Sequence, residues 1–304
     1  MFAPASVGNV GVGFDTLGLC LEHPGDEIVA RFTDAWTGLR ITEITGARGI
    51  STDPERNTAG VAALRLLEHL DETERGIEFR LRKKMPFGSG LGSSAASAVA
   101  GAMAVNELFR RPLEKRALLP FALDGEEVAS GSRHVDNVAP SLLGGLLLTR
   151  DHHTLDVHRL PLLRGLRVVV VHPRVEILTK AARSLLSDRV PLERHVEQSA
   201  NLAAFCIAAY TGNLELIRRS LRDVVIEPQR KQLIPGFDDV QAAALAHGAL
   251  GCSISGSGPS LFALCQNTLV AEQVANAMQG VFQQLKIPSQ RFISGINSEG
   301  AVKC

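Results

Sequence analysis

The stretch Pro86-Phe87-Gly88-Ser89-Gly90-Leu91-Gly92-Ser93-Ser94-Ala95-Ala96 constrains the chain most. Glycines at this density let the backbone turn with positive φ and approach a ligand closely. The serines stand where a helix begins and can cap its free N–H groups, and a small-residue helical run follows from Ala95 through Ala104 to Leu108. A helix start carries uncovered N–H groups and the positive end of the helix dipole. It therefore suits an anion, and phosphate is the usual one. Residues 77–85 (IEFRLRKKM) alternate apolar and charged, as a half-exposed strand does, and lead into the loop through Pro86. A plain strand–helix turn is the other reading of such a loop.

Two familiar phosphate loops are excluded. The Walker loop needs a Lys after its last glycine, and none follows Gly92. The dinucleotide fingerprint needs G-x-G-x-x-G with an acidic residue about 20 positions on. Here Gly88, Gly90 and Gly92 read G-x-G-x-G, and position 112 is Pro112.

Composition narrows the partners. Lys+Arg and Asp+Glu are equal at 32 each, so no net charge steers the chain to nucleic acid or an anionic membrane. One Trp and one Tyr give little material for a base-stacking surface. The five cysteines are scattered without C-x-x-C spacing, which supports neither zinc nor a disulfide framework. The N-terminus lacks a signal-peptide pattern, and no apolar run reaches the length of a membrane span. The expectation is a cytoplasmic protein of about two domains, divided as 1–155 and 156–304.

Along the chain, glycine-punctuated residues 1–22 read as strand, loop, strand, with Ser6, Asn9 and Asp15 as polar candidates for a ligand. Strands are expected at 27–32 and 40–44, and an amphipathic helix over 58–70. A helix is expected over 113–123, and residues 150–165 read as a polar connection. Residues 126–140 (EEVASGSRHVDNVAP) are dense in functional side chains. Leu166–Val171 is a continuous, mostly β-branched run typical of a buried strand. Helices are expected over 179–186, 194–210, 214–221, 240–248 and 269–285, with strands at 252–255, 261–265 and 291–294. Residues 227–230 read as a loop.

The Pro86–Ala96 loop resembles the P-x-x-x-G-L-G-S-S-A-A motif of the GHMP kinase superfamily, and Gly256-Ser257-Gly258-Pro259-Ser260 resembles its C-terminal glycine motif. Finer features resemble homoserine kinases. These are Ala3–Ser6 with Asn9 and Val12–Gly18, the segment His134-Val135-Asp136-Asn137-Val138-Ala139-Pro140, and Glu227-Pro228-x-Arg230 before Leu233-Ile234-Pro235. Val7-Gly8 replaces the commoner Ser-Ala before Asn9, and Asn57-Thr58-Ala59 stands for the usual adenine-side Asn-Leu-Val. The resemblance implies an α+β, two-domain GHMP kinase fold. Its N-terminal domain would hold a left-handed βαβ unit and its C-terminal domain would be ferredoxin-like.

The resemblance also implies roles. Pro86, Phe87, Gly88, Ser89, Gly90, Leu91, Gly92, Ser93, Ser94, Ala95 and Ala96 would wrap the phosphates of ATP, with Gly256 and Ser257 beside them. Mg²⁺ would be held by Ser94 and by Glu126, eleven residues before Asn137, with Glu127 the alternative. An amino acid bearing a hydroxyl would place its ammonium at Asn9 and Asp15 and its carboxylate at Arg183 and Arg230. Thr179, one turn before Arg183, could join them. Asn137 would lie near the reacting hydroxyl, and His134 would orient that segment. Asn137, Arg183 and Glu126 are thus the expected catalytic set. The implied reaction is ATP-dependent O-phosphorylation of L-homoserine by a homodimer. Another small-molecule GHMP kinase and a non-catalytic ATP-binding sensor are the rival readings.

Overall fold

The computed structural model describes residues 1–86, 88–161 and 164–304. Phe87 of the expected phosphate loop lies outside the described residues.

The first sheet is built around one long strand. β1 (Phe2–Gly8) pairs antiparallel with β2 (Leu17–Phe32), which continues against β4 (Ile77–Arg82) and β5 (Leu146–Asp151). β3 (Leu39–Thr45) pairs parallel with β4, and β6 (Asp156–Leu160) pairs antiparallel with β5, giving the order β3-β4-β2-β5-β6. Separate strands were expected, one ending within 1–22 and one at 27–32, where β2 is a single strand. Pro24 sits where β2 changes partners, between Leu19, paired with β5, and Glu27, paired with β4, so no ladder bond is lost there.

Two helices lie against this sheet, α1 (Thr58–His69) and α2 (Ser93–Leu108), and α3 (Leu119–Ser130) packs on both of them. All residues of α2 from Ala95 to Asn106 are buried. A helix covered on every side needs no polar face, which explains its alanine-rich sequence. Glycines allow the tight packing: a Cβ at Gly101 would come within 2.2 Å of the Ala59 carbonyl oxygen. The helix expected over 113–123 begins instead as a 3₁₀ turn, Lys115–Leu118, and α3 carries on to Ser130, with Pro120 tolerated in its first turn. α4 (Val135–Leu143) packs against β1 and β2. The expected polar connection at 150–165 contains β6, so the first sheet runs on to Leu160, past the division expected at 155.

The second sheet has the antiparallel order β10-β7-β9-β8. β7 (Arg167–Pro173) is followed by α5 (Thr179–Ser184), α6 (Leu192–Thr211), α7 (Leu214–Ser220), the single turn α8 (Glu227–Arg230) and α9 (Phe237–Ala246). β8 (Gly251–Ile254), β9 (Leu261–Cys265), α10 (Thr268–Gln284) and β10 (Ser289–Ser294) complete the ferredoxin-like order. β7 is buried on both faces, as its valine run requires. Val168 and Val170 join the main core, while Val169 and Val171 join the core under α9 and α10. The chain end returns to the first sheet, where Val302 bridges to Phe2.

Candidate active site

A cleft of about 750 Å³ runs along the glycine loop and is lined from both halves of the chain. The three loop glycines all take positive φ: +61° at Gly88, +74° at Gly90 and +66° at Gly92. Gly92 begins α2 with no side-chain cap. The Ala96 N–H returns to the Gly92 carbonyl, so the helix N–H groups left uncovered among the described residues are those of Ser93, Ser94 and Ala95. Ala96 therefore has no N–H to offer a ligand. Gly88, Ser89, Gly90, Gly92, Ser93 and Ser94 line the cleft; Pro86, Leu91, Ala95 and Ala96 do not. Leu91 instead faces the core, and its carbonyl accepts from Ser6 N at 3.0 Å.

The two glycine motifs lock together through backbone. Ser255 Oγ donates to the Gly90 carbonyl at 2.7 Å, and Ser260 N to the Ser89 carbonyl at 3.3 Å. A Cβ on Gly90 would lie 2.3 Å from the Ser255 carbonyl oxygen. Gly256 and Ser257 face the same cleft.

A second group of side chains gathers opposite the loop. Asp15 accepts from Arg183 Nη2 through both oxygens, at 2.8 and 3.0 Å. Asn9 Oδ1 accepts from Asp15 N at 2.9 Å, and Asn9 Nδ2 donates to the Gly256 carbonyl at 2.8 Å. Arg230, only 4% exposed, donates to the carbonyls of Ala182 and Gly256, both at 3.3 Å. The guanidiniums of Arg183 and Arg230 lie 5.3 and 5.0 Å from the Phe14 ring centre. Burial, and then the like charge of Arg183, push Arg230 below its ordinary pKa. An anion between the two guanidiniums would relieve that repulsion. Thr179 Oγ1 meets Ser257 Oγ at 3.3 Å, joining this group to the C-terminal glycine motif.

α4 brings a third group. Ser6 Oγ donates to Asn137 Oδ1 at 3.0 Å, and Asp136 Oδ2 accepts from Asn9 N at 3.1 Å. Gly8 makes room for both, since a Cβ there would lie 2.5 Å from Asp136 Oδ2 and 2.6 Å from Asn137 Nδ2. That gives the unusual Val7-Gly8 pair a physical reason. Asp136 is buried, Oδ1 has no partner among the described residues, and burial lifts its carboxyl to about 6. His134 Nδ1 lies 3.2 Å from Glu126 Oε1. Burial works against a charged His134, but the Glu126 hydrogen bond and the charges of Asp136 and Glu126 outweigh it, so the imidazole titrates above its usual range.

Sequence reasoning passed over several of these groups. Phe14 stood in a quoted motif without a role, as did Asp136. Lys83 lines the cleft, yet its place in an alternating strand made it look solvated. Asn57 also lines it, and its side chain caps α1 by accepting from Ala59 N and Gly60 N at 3.0 and 3.3 Å. A separate cavity of about 470 Å³ beside α7 and α9 contains neither glycine motif.

Two family models match the chain: "GHMP kinases N terminal domain" over residues 57–145 and "GHMP kinases C terminal" over 202–284. Homoserine kinase of Chlorobium phaeobacteroides (strain BS1) is 43% identical, covering 99% of this chain and 97% of the relative. That of Xylella fastidiosa (strain 9a5c) is 44% identical, covering 99% and 92%. The chain belongs to the homoserine kinases of the GHMP superfamily. The crystal structure of homoserine kinase from Cytophaga hutchinsonii, 48% identical, superposes with a TM-score of 0.95 over 98% of this chain and 95% of that one. L. major mevalonate kinase, 17% identical, superposes with a TM-score of 0.76 over 97% and 95%, which shows a shared fold alone. Both glycine motifs fall within the matched stretches.

Proposed function

We propose that this homoserine kinase family member transfers the γ-phosphoryl group of ATP to the side-chain hydroxyl of L-homoserine, giving O-phospho-L-homoserine on the route to threonine. One observation carries the reading. A single cleft sets the uncovered N–H groups of α2 opposite a cluster that suits a zwitterion, Asp15 with Arg183 and Arg230.

Asp15 and Arg183 neutralise each other when the site holds no amino acid. A zwitterion entering between them meets each charge with its opposite, the ammonium at Asp15 and Asn9, the carboxylate at Arg183 and Arg230. The ends of the substrate are thereby fixed, and its hydroxyl is turned toward Asn137 and the loop. Such positioning is the larger part of phosphoryl-transfer catalysis. Thr179 and Ser257 close the side between acceptor and loop. His134 holds Glu126 in place.

The donor set fits Mg²⁺. Glu126 is a buried carboxylate in the cleft, and the Ser94 hydroxyl lines it with no hydrogen-bond partner among the described residues. Both are hard oxygen ligands, which Mg²⁺ prefers while keeping some waters. When bound, it would neutralise charge on the ATP phosphates. No side chain is assigned as general base, and the hydroxyl proton leaves to a γ-phosphate oxygen or to water. Asp136→Asn tests that: turnover lost by orders of magnitude at unchanged homoserine KM would make Asp136 the base.

We read the first sheet and its helices, through Leu160, as carrying most of the nucleotide site and the segments after β7 as supplying the arginines, in a cytoplasmic homodimer. Family resemblance supports the dimer, and sedimentation velocity checks it. No helix among the described residues is long and apolar enough to cross a membrane. The function is tested by ADP release with Mg²⁺ across homoserine, threonine, serine and mevalonate. Homoserine should be turned over best; turnover of mevalonate alone, or of none, contradicts the proposal.

A further inference from the structure

Beneath the phosphate loop lies a buried ion pair, Asp26 with Lys83, whose side chains are only 2% and 5% exposed. Asp26 Oδ1 accepts from the backbone N–H groups of Lys84 and Met85 at 2.8 and 3.3 Å, where the chain leaves β4. Its Oδ2 accepts from Ser93 Oγ at 3.2 Å, at the first residue of α2. Lys83 Nζ donates to the Ser93 carbonyl at 3.0 Å and to Ser97 Oγ at 2.6 Å. The pair thus ties both ends of the glycine loop to one point. No side chain among the described residues caps this helix, because Gly92 carries none and the pair meets only the hydroxyl and carbonyl of Ser93. A side-chain cap would consume the N–H groups that a phosphate needs.

An ammonium has three hydrogens. Those of Lys83 meet three protein oxygens: the Asp26 carboxylate, the Ser93 carbonyl and the Ser97 hydroxyl. None is left for a phosphate oxygen, although Lys83 lines the cleft. We propose that Asp26 and Lys83 are a positioning pair that aims the N-terminus of α2 at the nucleotide phosphates, with Lys83 acting through the loop rather than on the ligand. This rests on the ATP-dependent reading above.

The test is equilibrium binding of ADP by calorimetry, which needs no homoserine, beside steady-state KM values. It uses Asp26→Asn, Lys83→Met, the double variant and Ser97→Ala. Positioning predicts that both single charge variants weaken ADP binding by about tenfold or more, in the same direction, and that the double variant is no worse than the poorer single. The KM for homoserine should stay within about twofold, and Ser97→Ala should weaken ADP by about threefold. If Lys83 reached the phosphates, Asp26→Asn would release it and tighten ADP, and Lys83→Met would lose the same factor in either background. Either result overturns the proposal. So does unchanged ADP affinity in Ser97→Ala, which keeps the ion pair should the charge variants fail to fold. Absence of homoserine turnover in the unaltered protein would overturn the proposed function and leave the ADP comparison standing.

Discussion

A Cβ on Gly92 would come within 2.2 Å of Ser6 Oγ and 3.0 Å of Asn137 Oδ1, at a φ of +66°. Gly92→Ala should therefore cost about 1–3 kcal/mol of stability and raise the KM for ATP, as thermal melts and steady-state kinetics will show. Asp136 gives a pH signature. Burial raises its carboxyl from 3.8 to about 6, so the folded state holds the proton more tightly than the unfolded chain. Its contribution favours the fold at low pH, is lost as pH rises through that window, and above it becomes a cost of about 3 kcal/mol. Asp136→Asn should then be more stable than the unaltered protein at pH 8 and lose that advantage near pH 4, measured by urea unfolding at each pH. That Asn9, Asp15, Arg183 and Arg230 would share one cleft was legible from the matched motifs. The burial of Asp136 and Lys83 was not, since a strand's exposed face and its covered face look alike until the neighbouring helix is placed.

Elements were legible where periodicity was uninterrupted. The β7 valine run and the amphipathic α1 follow from spacing alone. β2 did not, because a proline within a strand reads as its end, and only the sheet shows that Pro24 lies at a change of partner. α8 is too short for any periodicity; Asp223 builds it by accepting from the N–H groups of Val225, Ile226 and Glu227. That turn presents Arg230 to the cleft. The contact between the two glycine motifs was equally hidden, since it runs through backbone carbonyls. It yields a prediction at this scale. Ser255 is fully buried, so Ser255→Ala leaves the Gly90 carbonyl without its partner. Stability should fall by about 1–2 kcal/mol, and the KM for ATP should rise as the loop loosens, both readable from denaturation and kinetics on one preparation.

The cleft takes its side chains from both halves of the molecule. The nucleotide loop, Asp15 and Asn137 belong to the first sheet and its helices, whereas Arg183 and Arg230 come from segments after β7. That both halves would supply residues to one cleft was legible from motif order, but not their shared core, in which Val168 and Val170 pack with residues of the first sheet and its helices. Arg230→Met should raise the KM for homoserine by about a hundredfold and the KM for ATP far less, because the proposed carboxylate partner is lost whereas the nucleotide side loses only the bond to the Gly256 carbonyl. The central claim is that the cleft phosphorylates a hydroxyl held by its zwitterionic end. Its most direct measurement is ADP release with homoserine, with 4-hydroxybutyrate, which lacks the ammonium, and with 3-amino-1-propanol, which lacks the carboxylate. The account predicts that kcat/KM falls by about a hundredfold or more for each truncated alcohol. Turnover of either one within about tenfold of homoserine would contradict it.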